Sequence, residues 1–170
     1  MESSLQVQTK IRRIDVVAFN LFILPRARGN WIFLGVVTVG IFIFILARQP
    51  SISFPDVGFA LISSLIGGVA ALILGFLSSM IFILLSSSIK SGVLGPHTYS
   101  IDQEGLREVT PVNEGLQKWL GVQEVGRSKR FLFIRINGYL FHLIPRHAFS
   151  SDEEFNAFGT AAYNFWKSAA

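Results

Sequence analysis

Cysteine is absent from all 170 residues, which excludes a disulfide-stapled secreted domain, a thiolate-ligated zinc site and a thiol nucleophile. Charge is scarce: Asp, Glu, Lys and Arg make up 15% of the chain against 51% hydrophobic residues. The mean hydropathy of +0.49 is high for a water-soluble globular protein. This balance excludes intrinsic disorder, a collagen-like chain and a nucleic-acid-binding tail. The missing charge is also localised. No ionisable residue occurs from Gly29 to Ala47, nor from Val57 to Ile89.

Each charge-free window is long enough to cross a bilayer, which takes about 20 residues of helix. The second is longer than one crossing requires, and its surplus projects from the bilayer or tilts the helix; a turn at Gly67-Gly68 would leave two halves too short to span. Lys10, Arg12, Arg13, Arg26 and Arg28 precede the first window, and Lys90 with further cations up to Lys167 follows the second. The connection between the windows holds only Arg48 against Asp56. By the bias of Lys and Arg toward the cytoplasm, both termini are expected inside, with a short loop outside a bacterial-type inner membrane. The net charge of +4 is then a matter of topology, and nucleic acid is not expected as a partner. The apolar run Val16–Leu24 lacks a small-residue cleavage site, so no secretory signal peptide is expected.

Small residues recur at every fourth position of the second window: Ser63, Gly67, Ala71, Gly75 and Ser79. They share one helix face and allow another helix to approach closely. Three neighbours suit that face: the protein's own first span, a second copy, or a partner's span.

The flanking segments read as a small α+β domain. Leu5, Val7, Thr9 and Ile11 alternate with polar residues as in a strand, and Asp15 can cap a short helix, ended by Pro25, that lies against the membrane surface or packs on the C-terminal domain. His97–Asp102 and Leu106–Thr110 flank a Gly105 hairpin loop, Pro111–Gly115 is a loop, and Leu116–Val125 forms one bent strand or two with a kink at Gly121. Arg130–Ile136 and Tyr139–Ile144 flank Asn137-Gly138, a type I′ hairpin signal. A two-residue loop there predicts Ile136 opposite Tyr139, Ile134 opposite Phe141 and Leu132 opposite Leu143, with His142 on the face of Phe133. Ser150 or Ser151, with Glu154 closing a capping box, starts a last helix whose stripe is Phe155, Phe158, Ala162 and Phe165 or Trp166. The layout is thus 1–28 N-terminal strand and interfacial helix, 29–48 first transmembrane helix, 49–56 external loop, 57–90 second transmembrane helix with extension, and 91–170 cytoplasmic β-rich domain.

The run from Ile144 through Pro145, Arg146 and His147 to Phe158 resembles the closing motif of the YcxB-like family: Ile-Pro-basic, an aromatic, small polar caps, then acids ahead of a short helix. Trp119 after a loop and Ile101–Leu106 around Gly105 are similar to it too, while His147 stands where the family has a basic or small residue. The resemblance implies two adjacent spans followed by a small antiparallel sheet of pleckstrin-homology-like form with a C-terminal helix.

No His-x-x-His or His-Glu-x-x-His spacing, no Gly-x-Ser-x-Gly elbow, no phosphate loop and no dinucleotide fingerprint occurs, and the three histidines read as structural. No catalytic residue, metal or cofactor is therefore expected. Charge-free spans also disfavour a channel or pump. The expected role is a non-enzymatic membrane binding or regulatory protein acting through protein contacts, an immunity protein against a membrane-acting antibacterial toxin among them. Its partners are the lipid bilayer and a protein, either such a toxin or a second copy. The alternative is lipid-headgroup sensing or membrane organisation through Arg127, Lys129, Arg130 and Arg146.

Overall fold

The structure, a computed structural model, describes residues 4–138 and 140–169. It divides into two compact units, one made of residues up to Phe19 together with Ser86 onward, the other of Asn20–Leu85.

In the first unit, β1 (Leu5–Ile11) pairs antiparallel with β2 (Gly95–Ile101), Leu5 opposite Ile101 and Ile11 opposite Gly95. β3 (Gly105–Val109) and β4 (Glu114–Lys118) extend this into a four-stranded sheet of order β1-β2-β3-β4. The stretch read as one bent strand or two is two, broken by a 3-10 turn at Trp119–Gly121. β5 (Glu124–Arg127), β6 (Phe131–Asn137) and β7 (Leu140–Pro145) form a separate three-stranded sheet, so the expected single sheet is in fact two. α4 (Asp152–Ala169) follows. Ser151 Oγ accepts the Glu154 N–H at 3.1 Å, and the Glu154 carboxylate reaches back to the Ser150 N–H at 2.8 Å. The Ser151–Glu154 half of the expected capping box is therefore present, and the return bond goes to Ser150, one residue before the cap.

The core lies between the sheets and α4. Val7, Tyr99, Ile101 and Leu106 enter it from the first sheet, Val125, Leu132, Ile134 and Ile144 from the second, and Phe155, Phe158 and Ala162 from the helix. Trp119 sits at the seam, 1% exposed. Its indole N–H donates to the Asp102 carbonyl at 2.7 Å, and its ring stacks on Phe165 with centroids 6.2 Å apart. Trp166 is used as well, donating to the Val122 carbonyl at 2.9 Å. α1 (Arg13–Ile23) packs Phe19 edge-on against Phe131 and Phe141 and tilted against Phe133. Asp15 does not precede α1 as its cap. It lies in the first turn and accepts the Arg12 N–H at 2.9 Å, while His147 Nε2 lies 3.2 Å from both its oxygens. The cap therefore doubles as a tie between α1 and the segment after β7.

The β6–β7 register departs from expectation by one residue. Leu132 pairs with Ile144 and Ile134 with His142, not with Leu143 and Phe141, and Tyr139, the expected partner of Ile136, lies outside the described residues. The cause is an irregularity between Arg135 and Asn137 that leaves Ile136 as the extra residue. Asn137 pairs with Leu140, and of the Asn-Gly pair only Gly138 has positive φ, +27°, so these two residues are not the centre of a type I′ turn. A one-residue slip moves every β7 side chain to the other face. His142 thereby joins Leu132 and Ile134 and leaves the side of Phe133.

The second unit holds α2 (Arg28–Ala47) and α3 (Phe54–Ser86). α3 begins inside the stretch read as a loop because the Asp56 carboxylate of its first turn accepts the N–H and the hydroxyl of Ser53, and Pro55 fits the first turn, where no amide partner is needed. Both helices are long and apolar enough to cross a membrane. Truncating Trp119 to Ala should destabilise the first unit by about 3–5 kcal/mol, read from denaturant unfolding of the full chain followed by strand circular dichroism.

Candidate functional site

Three cations of one loop and a fourth from farther along the chain meet at one end of the second sheet. β5 and β6 are joined by a tight turn in which the Ser128 N–H donates to the Phe131 carbonyl at 2.7 Å and Ser128 Oγ accepts the N–H groups of Arg130 and Phe131. The Arg146 N–H donates to the Arg130 carbonyl at 2.8 Å, which sets Arg146 beside that turn. Arg127, Lys129, Arg130 and Arg146 thus share one end of the sheet, beside the start of α4. They are not equivalent. Arg127 donates to Asn156 Oδ1 at 2.9 Å, and Arg146 pairs with Asp152 and donates to the Phe149 carbonyl at 3.0 Å. The side chains of Lys129 and Arg130 are exposed and meet no partner among the described residues. A concavity of about 580 Å³ lies here, lined by Arg127, Ser128, Lys129, Asp152, Phe155 and Asn156. Asp152 offsets part of the positive charge, so the free attraction for an anion comes from Lys129 and Arg130.

A second cluster, unread from the sequence, joins the two sheets. Glu108 on β3 accepts from His97 Nδ1 of β2 at 3.0 Å through Oε1, and pairs with His142 Nδ1 of β7 at 3.1 Å through Oε2. Tyr99 is the register partner of Glu108, and its hydroxyl lies 3.3 Å from His97 Nδ1. Burial opposes the Glu108 charge, but hydrogen bonds from His142 and His97, the charge of His142 and the Tyr99 hydroxyl together hold the carboxyl far below its usual range. Burial, then the Glu108 charge, pushes the Tyr99 hydroxyl well above its ordinary value, so it stays neutral. The second ring nitrogen of His97 is Nε2. It is buried and has no hydrogen-bond partner among the described residues, as is Thr9 Oγ1 on the β1 residue paired with His97. A signal for this cluster was available. Alternation along β3 puts Glu108 on the same face as buried Leu106, where a carboxylate needs partners. No group of three or more His, Asp or Glu among the described residues is placed to hold a metal ion.

In the second unit, the small residues of α3 fall into two sets. An added Cβ at Gly67 would lie 2.8 Å from Ile41 Cδ1, and one at Gly68 would overlap Thr38 and press on Leu34. Ala60, Ser64 and Gly68 are the buried residues of α3, one position on from the Ser63–Gly67–Ala71 line, whose members are half-buried. At Gly75 nothing comes within 4 Å, and Ser79 is half-buried. The first half of the ladder therefore borders the α2 contact, and Gly75 is open.

Removing the Glu108 charge should weaken the domain and alter its response to acid. A depressed carboxyl stabilises the fold at all pH values above the unfolded glutamate range, about 4.3, and that stabilisation fades as pH falls below it. Glu108→Gln should therefore cost about 2 kcal/mol at pH 7, with the gap to the parent protein closing below pH of about 4 in denaturant titrations.

The family described as YcxB-like protein matches residues 101–162, which run from the end of β2 through most of α4. No curated protein and no solved structure gives a significant match to the chain. The matched segment contains Glu108, His142 and all four clustered cations. Residues 101–162 are thus similar to a YcxB-like domain.

Proposed function

We propose that this chain is a non-enzymatic integral protein of a bacterial-type inner membrane, in which α2 and α3 cross the bilayer and hold a cytoplasmic, pleckstrin-homology-like binding module. The observation that carries the reading is the exposure of the two helices. They run 20 and 33 residues, and 0% and 6% of their most apolar windows is buried within the chain. Side chains such as Val36 and Phe82 are about two-thirds open, at 67% and 71%. Such a surface is stable only against hydrocarbon or another apolar surface. The same-side arrangement of the termini is supported by the β1–β2 pairing: a chain that leaves at Ile11 and must return to Gly95 beside it needs an even number of crossings. The distribution of Lys and Arg supports the cytoplasm as that side. Seven strands in two antiparallel sheets with one C-terminal helix support the pleckstrin-like form.

The module works through protein contacts, and the open part of α3 is where a partner's span meets it. Gly67 and Gly68 are occupied by α2, whereas Gly75 leaves room for another backbone. A protein that inserts into the same bilayer, as a membrane-acting antibacterial toxin does, is the partner class this surface fits, and immunity is the corresponding role. A second reading, lipid-headgroup binding, is favoured by the cluster of Arg127, Lys129, Arg130 and Arg146, where two cations remain unpaired.

Cross-linking in native membranes followed by mild-detergent purification tests the first reading. A stoichiometric second protein should co-purify and be lost at least tenfold in Gly75→Leu, where an added Cβ has nothing within 4 Å among the described residues, while Gly68→Leu should separate α2 from α3. Recovery of the chain alone would sink the protein-contact reading, and its release by an alkaline wash would sink the spans. For the second reading, Arg127, Lys129 and Arg130 changed together to Ala should lower retention on anionic vesicles by about tenfold or more, and unchanged retention would remove it.

A further inference from the structure

β4 is the end strand of its sheet, with β3 as its one neighbour, and four of its five residues are exposed. The hairpin fixes which backbone groups it leaves free. The Thr110 N–H donates to the Asn113 carbonyl at 2.8 Å, and bonded pairs alternate in an antiparallel ladder, so Glu108–Gly115 and Leu106–Gln117 are the bonded pairs that follow. Glu114, Leu116 and Lys118 consequently direct their N–H and C=O groups away from β3. Their side chains lie on the outer face of the sheet, Leu116 beside Arg107.

Charge on an edge strand ordinarily discourages pairing. Here the two charges are opposite in sign and stand at equal distances on either side of Leu116, in Glu114-Gly-Leu-Gln-Lys118. Read antiparallel against itself, this segment matches Glu114 to Lys118, Gly115 to Gln117 and Leu116 to Leu116. The matched register calls on the three residues whose backbone groups point outward, so all three can form bonded pairs. It also sets a carboxylate across from an ammonium on the same face at both ends. Glu114 already accepts from Arg107 Nη1 at 3.0 Å with both side chains more than half exposed, which leaves its second oxygen for Lys118 of the other copy. The Lys118 carbonyl accepts weakly from its neighbour Gln117 at 3.2 Å and keeps its other lone pair. Gly115, with nothing within 4 Å of an added Cβ, presents no obstacle to the facing Gln117.

We propose that two copies of this chain associate by pairing their β4 strands edge to edge, antiparallel, across a twofold axis through Leu116. The contact is isologous, with the same patch on both partners, and closes without leaving a free β4 edge. It uses residues of the first unit alone. It therefore goes beyond the membrane-module reading and stands or falls separately from whatever meets α3.

The natural chain has no cysteine, so Leu116→Cys introduces a single thiol. A short, membrane-permeant bismaleimide applied to intact cells making the full-length variant should give a covalent dimer. Gln8→Cys, on the opposite edge strand, should give none. In the Leu116→Cys background, Glu114→Lys and Lys118→Glu each place like charges opposite one another and should lower the dimer yield about tenfold. Co-expressing those two variants restores the opposite pairing and should recover the yield, which also shows that both fold. No dimer at Leu116→Cys, or a yield indifferent to the charge reversals, would overturn the proposal. A dimer held by α3 would behave in that second way.

Discussion

The pairing of β1 with β2 constrains everything else in this molecule. The two strands are adjacent and antiparallel over Leu5–Ile11 and Gly95–Ile101, yet both helices of the second unit lie between them in the chain. The helical segment is thus an insertion into a β-hairpin, with its two ends held side by side by ladder hydrogen bonds. An α-helical insertion so anchored has to come back to where it started, which one helix cannot do and a helical hairpin can. Within that insertion, the small residues Gly67 and Gly68 of α3 let α2 approach closely. In the proposed membrane setting, the same closure places both ends of the insertion on one side.

The first unit solves a different problem, that of joining two small sheets around one core. Apolar packing does most of this through Trp119, Ile134 and the α4 stripe. Glu108 adds direction: a carboxylate held by a histidine from each sheet permits one relative placement of β3 and β7, whereas aliphatic contacts permit several. The Asp15–His147 contact does for α1 what Glu108 does for the sheets.

Much of this was legible in the residues. The alternation of Leu5, Val7 and Ile11 marks β1, and the charge-free windows mark α2 and α3, because period and charge are local properties. The Ser151–Glu154 cap and the Phe155–Phe158–Ala162 stripe were legible for the same reason. The β6–β7 register was misread because Asn-Gly is a local turn signal, and the irregularity at Ile136 outweighs it by the packing it achieves. Through that slip His142 changes faces and reaches Glu108. The Arg127–Arg146 grouping was readable only as separate loops, since the Arg146 N–H to Arg130 carbonyl bond depends on the same register.

The sequence by itself determined the number, kind and approximate limits of the elements, because hydrophobic period, capping side chains and runs without charge act over a few residues. It also determined that α2 and α3 are long and apolar enough to cross a membrane. The tertiary structure alone decided which residues face each other: His142 toward Glu108, Arg146 beside Arg130, Gly68 against Thr38, and Gly75 open. Those outcomes turn on strand register and helix rotation, where a shift of one residue exchanges the buried face for the exposed one while leaving the local pattern unchanged.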